Sequence, residues 1–370
     1  MAKRPTVYDV AERAGVSIAT VSFTFRQPDR VRPATRETVL SAAASLGYVP
    51  SASARGLANG RTGALGLFAF DYLLDTADNP GADQQLQGNA GMAEGRRDDP
   101  NEDFRIFPVY VDEVQRGVEL ECLKRGYALM ISGGNPSSGD AVLTDIAGRV
   151  DGLAVFPGSD REEAVARVSR RIPVVQISDS YRSQEFDCVT VDNAGGMREL
   201  VRHLIDVHEL ADLQFVGLEH SPDIQARRSG FLAALTEVGL TSPQRPQEWS
   251  QENYSGFDSA SAYVDALLGR DALPQALVCA TDEEALAIMD ALAAAGVRVP
   301  EQVAVTGFDG IVAGRISRPA LTTVRQPMEQ MGRAVVGMLI DRLENPDMKP
   351  VRRELPVTVV LRESCGCTQR

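Results

Sequence analysis

The chain has 370 residues, of which 44% are hydrophobic, and this length predicts a small module beside a large body with its own core. No stretch approaches the roughly 18 apolar residues of a membrane-spanning helix, and the start, MAKRPTVYDVAERAG, has no apolar signal segment. The five cysteines are scattered except for the last two, which excludes a disulfide framework. We therefore expect a cytoplasmic protein.

The net charge of −13 is unevenly distributed along the chain. Residues 1–61 contain nine basic and four acidic residues, which leaves 29 basic and 47 acidic residues for the rest. An acidic body repels phosphates, whereas a basic end attracts them. Any contact with nucleic acid is therefore expected at the N-terminal end alone.

Two short helices separated by a glycine turn are predicted near the N-terminus. Thr6 is an N-cap with Asp9 in a capping-box position, and Gly15 ends the first helix. A serine N-cap begins a second helix over 17–25, which turns Val21 inward. The first helix has one apolar face, formed by Val7, Val10, Ala11 and Ala14. This arrangement is typical of a helix-turn-helix.

A third helix is predicted over 33–46. Pro33 suits the first helical position, and Gly47 followed by Pro50 supplies stop signals. From spacing alone two interpretations stay open. The three helices form either a DNA-reading head, with the second helix in the major groove, or a small packed bundle without that role.

The same segment resembles the head of the lactose/galactose-repressor family. The matching positions are TVYDVAERAGVS at 6–17, TVS at 20–22, Val31, Thr35-Arg36 and LGYVP at 46–50. Similarity continues at lower intensity along nearly the whole chain. The resemblance implies a transcription regulator, expected to be a repressor, that binds a palindromic operator in double-stranded DNA as a homodimer.

DNA-contacting positions are carried over from the family one by one. Base reading falls on Ile18, Ala19 and Phe23, after a phosphate-contacting Ser17. Ile18 and Ala19 offer only apolar contacts, for instance to thymine methyl groups. Phe23 stands where many relatives have arginine, so a bidentate guanine contact is missing. Phosphate contacts, which position without specifying sequence, are expected at Tyr8, Thr20, Arg26, Arg30 and Thr35.

Residues 51–58 correspond to the family's hinge helix. So short a segment is not stable as an isolated helix, and we expect it to order on DNA. The resemblance places Ala54 and Leu57 at the DNA, with Leu57 wedged into the minor groove. A plain flexible linker is the alternative.

After residue 61, apolar strands alternate with helical segments. Strands are predicted at 64–70, 127–132, 152–156, 174–177, 213–217, 276–280, 303–307 and 356–362. Helices are predicted at 113–125, 162–171, 197–207, 225–238, 258–268 and 283–295. This order predicts an α/β body of two doubly wound parallel-sheet lobes, which bind ligands at the carboxyl ends of strands.

The resemblance implies a periplasmic-binding-protein-like body with three crossovers between its lobes, near residues 190, 326 and 350. The predicted domains are a helix-turn-helix head at 1–50, a hinge at 51–61 and an effector-binding and dimerisation domain at 62–370. The first lobe would contain about 62–190 and 327–350. The second would contain about 191–326 and 351–366.

The resemblance also implies a small, sugar-like effector in the cleft between the lobes. Arg227 matches an arginine that grips polar ligand groups, for which a guanidinium fork is suited. Trp249, the single tryptophan, aligns with an aromatic ring that covers the ligand. Further effector contacts are expected at Asp282, Asp309, Ser178 and Tyr110. A core tryptophan, a surface arginine and a capping aspartate stay open as alternatives.

An insertion at about 71–104 separates the strand ending at Phe70 from the helix near Asp112. It is rich in Gly, Asp and Pro, as surface loops are. A lid over the cleft is the alternative, because the insertion follows the carboxyl end of a strand.

No enzyme is predicted, because GxSxG, P-loop, GxGxxG and HExxH patterns are absent from the sequence. No cofactor is expected. His203, His208 and His220 have no evident zinc partners, and Cys365-Gly-Cys367 offers two thiols where structural zinc needs four ligands, so no metal site is predicted. Two alternatives to a sugar-controlled regulator remain: a cytoplasmic solute-binding receptor and a regulator controlled by a protein partner.

Overall fold

The computed structural model describes residues 5–49, 61–70, 109–134, 139–156, 162–178, 185–217, 221–241, 256–269 and 273–367. Three sequence predictions lie outside these described residues: the hinge helix with Ala54 and Leu57, the insertion, and Trp249. The chain divides into two compact units, residues 1–63 and 64–370.

The described residues of the first unit form three short helices packed around a small core. They are α1 (Val7–Ala14), α2 (Ile18–Arg26) and α3 (Pro33–Leu46), with a 3-10 turn at Pro28–Arg30 between the last two. The buried core consists of Val10, Ala11, Val21, Val39, Ala42 and Ala43. The helix-turn-helix predicted from sequence is confirmed, and α2 ends one residue later than expected.

Local capping interactions define the ends of these helices. The side chain of Thr6 accepts a hydrogen bond from the backbone of Asp9, and the Asp9 carboxylate accepts one from the backbone of Thr6. This reciprocal pairing satisfies two N–H groups that the first turn leaves without helical partners. Gly15 ends α1 with φ 63° and Gly47 ends α3 with φ 65°, a backbone region that favours glycine.

The described part of the second unit forms two sheets and the helices that cover them. Its described strands are β1 (Ala64–Phe70), β2 (Ala128–Gly134), β3 (Gly152–Phe156), β4 (Val174–Ile177), β5 (Asp187–Val191), β6 (Leu213–Val216), β7 (Ala276–Cys279), β8 (Ala304–Asp309), β9 (Thr322–Arg325), β10 (Arg352–Leu355) and β11 (Thr358–Val360). Its described helices are α4 (Val109–Arg125), α5 (Gly139–Ala147), α6 (Glu162–Ser169), α7 (Asn193–His208), α8 (Pro222–Glu237), α9 (Gly256–Gly269), α10 (Asp282–Ala294), α11 (Val312–Ile316) and α12 (Met328–Glu344).

The order of strands gives each sheet its own lobe. Within the described residues, the first sheet has the order β10-β5-β4-β3-β1-β2 and is parallel throughout. The second has the order β11-β9-β8-β7-β6 and is parallel except for β11, which runs antiparallel to β9. The predicted fold class, a helical head followed by two parallel-sheet lobes, is confirmed.

Three crossings between the lobes lie within the described residues. The first crossing follows Val191, where β5 gives way to α7, and the second follows Arg325, where β9 gives way to α12. The third follows Leu355 instead of lying near residue 350, because β10 pairs with β5 in the first sheet. The first lobe therefore extends to the end of β10, and the second lobe resumes at β11.

In each lobe two helices approach closely at a glycine. A Cβ atom at Gly332 of α12 would collide with the carbonyl oxygen of Val114 in α4. A Cβ atom at Gly230 of α8 would collide with the carbonyl oxygen of Ala194 in α7. Glycine at these positions allows backbone to pack against backbone, so a larger residue would separate the helices.

Among the helices of the described residues, none has both the length and the apolar character needed to span a membrane.

Candidate functional site: the helix-turn-helix face and the interlobe polar cluster

The second helix of the head presents a partly apolar surface. Ser17 starts α2 by accepting a hydrogen bond from the backbone of Thr20 at 3.1 Å, and its hydroxyl lies 2.9 Å from that of Thr20. Val21 has no exposed surface, whereas Ile18 and Phe23 are 42% and 41% exposed. The cap and the buried valine orient the helix so that its first turn and Phe23 face outward.

Several other predicted DNA-contacting residues of the head are also accessible. Tyr8 is 67% exposed. Ala19 and Arg30 are exposed, and Thr20 and Thr35 are half-buried. The accessibility of these five residues is compatible with contact to a large partner. Arg26 is the last residue of α2.

Arg227 is the centre of a buried polar cluster in the second lobe. It lies on α8, is 6% exposed, and donates from Nε to Asn193 Oδ1 at 2.8 Å. Its Nη1 donates to the carbonyl oxygen of Ala280 at 2.7 Å and to Asp309 Oδ1 at 3.3 Å. The guanidinium carbon lies 3.9 Å from the centroid of the Phe308 ring, a cation–π arrangement. These contacts hold the guanidinium group in one orientation.

Asp309 connects this cluster to the second crossing. It ends β8 with φ 127° and is 5% exposed. Its Oδ1 accepts a hydrogen bond from Gln326 Nε2 at 2.7 Å, in addition to the contact with Arg227. Burial raises the pKa of Asp309, and the positive charge of Arg227 opposes that rise. Arg227 and Gln326 are therefore the groups that stabilise its charged form.

Asp282, another predicted effector contact, is buried at the start of α10. Asp282 has no exposed surface, and one carboxylate oxygen accepts hydrogen bonds from the backbones of Gly310 at 2.7 Å and Ile311 at 2.8 Å. The other oxygen accepts from the hydroxyl of Thr323. Burial, and then the nearby Asp309, raise the pKa of Asp282 to about 7. Asp282 thus fixes the turn after β8 through its hydrogen bonds to the backbones of Gly310 and Ile311.

Two predicted residues of the first lobe are brought together. The hydroxyl of Tyr110 lies 3.0 Å from that of Ser178, although 68 positions separate them in sequence. The ring of Tyr110 packs edge-on against Phe156, with centroids 6.2 Å apart. Ser178 follows β4 with φ 75°. The structure therefore places the two hydroxyls as a pair.

The side chain of Glu283, in the first turn of α10, lies near the first residue of α4. Glu283 of the second lobe accepts a hydrogen bond from the backbone of Val109, at the start of α4 in the first lobe. Burial raises the pKa of Glu283 to about 7, and Asp309 adds to the rise. Burial also raises the pKa of Glu113, against the influence of Arg325. Glu283 is thus close to Asp309, and Glu113 is close to Arg325.

Comparison with known protein families accounts for both units. The model of bacterial regulatory proteins of the lacI family matches residues 6–51, and that of the periplasmic binding protein-like domain matches residues 201–365. The chain is 30% identical over 367 residues to the transcriptional repressor PurR of Erwinia tasmaniensis, covering 97% of this chain and 96% of that protein. The chain belongs to the lacI family of bacterial regulatory proteins.

Other relatives of this lacI-family protein are transcription regulators as well. Catabolite control protein A of Priestia megaterium is 29% identical over 365 residues, which cover 97% of this chain and 98% of that protein. Among solved structures, a complex of the transcriptional regulator CelR with cellobiose is 27% identical, covers 98% of this chain and 100% of that chain, and has a TM-score of 0.64. The lac repressor dimer bound to operator and the anti-inducer ONPF, at 23% identity and a TM-score of 0.76, shows the same fold.

Three residues of the polar cluster were missed by sequence reasoning. Asn193 follows β5, Gln326 follows β9, and Phe308 lies next to Asp309 within β8. Neither β5 nor β9 is among the predicted strands. The polar residues that follow them were therefore not recognised as lying at the carboxyl ends of strands. The rule that such ends form ligand sites would have found Asn193 and Gln326 once those strands were known.

Two of the histidines, for which no zinc partners are evident from the sequence, lie near two cysteines in the structure. His203 and His208 lie beside Cys365 and Cys367, with one ligand atom from each within 4.8 Å of the others. The two thiols are more than 150 positions from the histidines in sequence. They meet because the end of the chain folds back against the end of α7. His220 lies outside the described residues.

Proposed function

We propose that this lacI-family protein is a cytoplasmic, sequence-specific repressor that binds a palindromic operator as a homodimer and responds to a small polyhydroxylated effector. The observation that carries the proposal is the outward face of α2 on a capped helix-turn-helix. Relatives that match nearly the whole chain are transcription regulators, which favours a regulator over an enzyme or a transport receptor.

The proposed reading of bases is mostly apolar. Ile18, Ala19 and Phe23 would contact base edges in the major groove, where thymine methyl groups offer apolar surface. Phosphates would be held by Tyr8, Ser17, Thr20, Arg26, Arg30 and Thr35, and the minor groove by Ala54 and Leu57. Since phosphate contacts dominate affinity, binding should weaken steeply with salt.

The reading role of α2 is tested by changing Phe23 to arginine in the full-length protein. Arginine can form two hydrogen bonds to guanine, worth about 1–3 kcal/mol of discrimination between bases. We expect DNA selected by the Phe23→Arg variant to gain a symmetric pair of G·C positions, one in each half-site. Leu40→Arg is the matched control, because Leu40 is 44% exposed but lies on α3.

Two outcomes of this selection would contradict the proposal. Identical sites for the wild type and Phe23→Arg would show that position 23 does not face bases. A similar change caused by Leu40→Arg would show that added positive charge, and not the face of α2, alters binding.

The proposed effector site lies between the Arg227 cluster and the Tyr110–Ser178 pair. Within the described part of the chain, Arg227 uses Nε and Nη1 on protein acceptors, and its Nη2 has no acceptor. Tyr110 and Ser178 offer hydroxyls from the opposite lobe. Such donors and acceptors suit a ligand with several hydroxyl groups, and Trp249 is proposed to cover its ring. The complex of the related CelR with cellobiose supports a sugar as the ligand class.

The same cluster suggests how the effector would act on the lobes. Arg227 binds Asn193, directly after the first crossing, and Asp309 binds Gln326, directly after the second. A ligand that touches Arg227 or Asp309 therefore acts on residues at two of the three connections. A differential affinity for two lobe arrangements, typically 1–3 kcal/mol of coupling, would change the affinity of the dimer for its operator.

The effector site is tested by calorimetry with a panel of monosaccharides and disaccharides. Tyr110→Phe removes one hydroxyl and keeps the ring, and we expect it to weaken binding of the ligand that the wild type selects by about 10-fold, since a lost hydrogen bond costs about 1 kcal/mol or more. Tyr127→Phe, which removes a hydroxyl before β2, should leave binding unchanged. If Tyr110→Phe and Tyr127→Phe bound the ligand with equal affinity, Tyr110 would not belong to the effector site. If the protein bound another protein and none of the sugars, control by a protein partner would be favoured.

A further inference from the structure

Two histidines and two cysteines form a compact cluster at the end of α7. His203 and His208 lie on the last turns of that helix, and their Nε2 atoms are 3.2 Å apart. The cysteines flank Gly366, which has φ 97° and follows a 3-10 turn at Glu363–Cys365. This left-handed turn, which favours glycine, brings both thiols to the same side of the tail.

The separations within the cluster match those of tetrahedral zinc ligands. Cys367 Sγ lies 3.4 Å from the Nε2 of His203 and 3.4 Å from the Nε2 of His208. With Zn–S near 2.3 Å and Zn–N near 2.0–2.1 Å, a regular tetrahedron has N–N edges of about 3.3 Å and S–N edges of about 3.5 Å. The Cys365 sulfur completes the set within 4.8 Å. Ordinary packing requires no such convergence of four potential ligand atoms.

We propose that His203, His208, Cys365 and Cys367 bind one zinc ion per chain. A tetrahedral set of two sulfurs and two nitrogens is characteristic of zinc. Four protein ligands leave no open coordination position, so the site is structural and not catalytic. It goes beyond the regulator function proposed above and does not depend on it.

The surroundings of Cys365 provide the second contact layer that metal ligands require. Cys365 is buried, and its sulfur lies 3.0 Å from the hydroxyl of Thr322 in β9. A hydroxyl at that position can donate to a thiolate, and such outer contacts orient metal ligands. Thr322 also donates its backbone N–H to Ser364 Oγ at 2.8 Å. The tail is therefore anchored to the second sheet independently of the metal.

The zinc ion would fasten the tail to the C-terminal end of α7. The N-terminal end of the same helix contributes Asn193 to the Arg227 cluster. Asn193 begins α7 and His208 ends it, so the two sites lie about 22 Å apart along the helix axis at 1.5 Å per residue. At the C-terminal end of α7, the metal would join the helix to the tail that follows β11. We therefore expect zinc to stabilise the second lobe without touching the effector.

The first experiment measures the zinc content of the purified full-length protein by inductively coupled plasma mass spectrometry. We expect one zinc ion per chain after exhaustive dialysis in metal-free buffer. Cobalt substituted for zinc should give the visible absorption of tetrahedral cobalt and the thiolate-to-cobalt charge-transfer band. Both measurements use the wild type, so neither depends on whether a variant folds.

Variants then assign the ligands. His208→Gln and Cys367→Ser should each lose bound zinc, whereas His220→Gln, which changes the third histidine of the chain, should retain it. A chelator should lower the thermal midpoint of the wild type and of His220→Gln, and should have little effect on the two ligand variants. This pattern separates loss of the metal from general destabilisation.

Three results would overturn the proposal. The first is wild-type protein that neither contains zinc nor gives the cobalt bands after incubation with the metal. The second is zinc retained by both ligand variants. The third is a disulfide between Cys365 and Cys367 in protein purified with reductant, which would assign the thiols to redox chemistry.

Discussion

The head and the body place their functional residues in different ways. In the head, Ser17 caps α2 through Thr20, three positions away, and the exposed face follows within the next turn. In the body, Arg227 binds Asn193 and Asp309, which are 34 and 82 positions away in sequence. The comparison shows that a short-range signal can define a binding face, whereas a polar cluster between lobes requires the complete arrangement of strands and crossings.

The largest change in the free energy of unfolding is expected when the Arg227 cluster of the body is disrupted. Arg227→Met removes the cation from a pair whose side chains are 7% and 8% exposed and leaves Asp309 as a buried charge, a change that typically costs about 3–5 kcal/mol. We expect a lower midpoint of urea unfolding when Trp249 fluorescence is followed, since that tryptophan lies in the body.

The control for this prediction is an exposed ion pair. Arg149→Met breaks the pair with Asp145, whose side chains are 60% and 63% exposed, and exposed pairs contribute about 0–1 kcal/mol. If Arg227→Met and Arg149→Met lowered the free energy of unfolding by similar amounts, the buried pair would not stabilise the body more than an exposed pair does.

An intermediate change in stability is expected from the ionisation of Glu283. Its pKa is raised to about 7 in the folded chain, so the folded state holds this proton more tightly than the unfolded state. Its contribution to stability is therefore present below pH 4.5 and is lost as the pH rises through about 7.

Glu283→Gln tests that sign, because glutamine keeps an oxygen that can accept from the backbone of Val109. We expect the variant to match the wild type near pH 4 and to be more stable at pH 8 by on the order of 1–2 kcal/mol, measured by urea unfolding at each pH. A variant less stable than the wild type at pH 8 would show that the charged carboxylate is favourable at this position.

The smallest effect is expected for the local cap of the head. Ser17→Ala removes the acceptor for the backbone of Thr20, and loss of such a cap costs about 1 kcal/mol. Hydrogen exchange of peptides from residues 5–49 should accelerate, while Trp249 fluorescence should report unchanged unfolding of the body. Ser45→Ala, within α3, removes a hydroxyl that only donates to the carbonyl of Ala42 and should change exchange much less.

The cluster of His203, His208, Cys365 and Cys367 is a second long-range arrangement in the body. Its histidines are close in sequence, but the cysteines come from the tail, and only the folded chain brings the four ligands together. If zinc is bound as proposed, the body contains two long-range constellations on one helix, the polar cluster at Asn193 and the metal site at His208. Removing zinc should then leave the head unaffected.

The elements predicted correctly have strong local signals. The bounds of α3, β1, β3 and β4 agree with the predicted segments, because a proline start and glycine stop define α3 and continuous apolar runs define the strands. The element most clearly missed is α12. Residues on many of its sides are buried against α4 and the first sheet, so the apolar stripe that identifies an amphipathic helix is not apparent.

The strands β5, β9 and β10 were missed for a related reason. They are short, and DCVTV, TTVR and RREL contain polar or charged residues. Their pairing with neighbouring strands makes them part of the sheets. The consequence for the candidate site is direct, since Asn193 and Gln326 follow two of these strands.

By itself, the sequence determined the helices of the head and the alternation that builds the body, because caps, turns and apolar periodicity act over a few residues. Its similarity to known regulators determined membership of the lacI family. The tertiary structure alone decided that Asp282 buttresses a turn while Arg227 and Asp309 form a pair, and that two histidines meet two cysteines. Those outcomes depend on which strand ends and chain segments become neighbours. That choice is made by packing of the whole body, through contacts between residues that are distant along the chain.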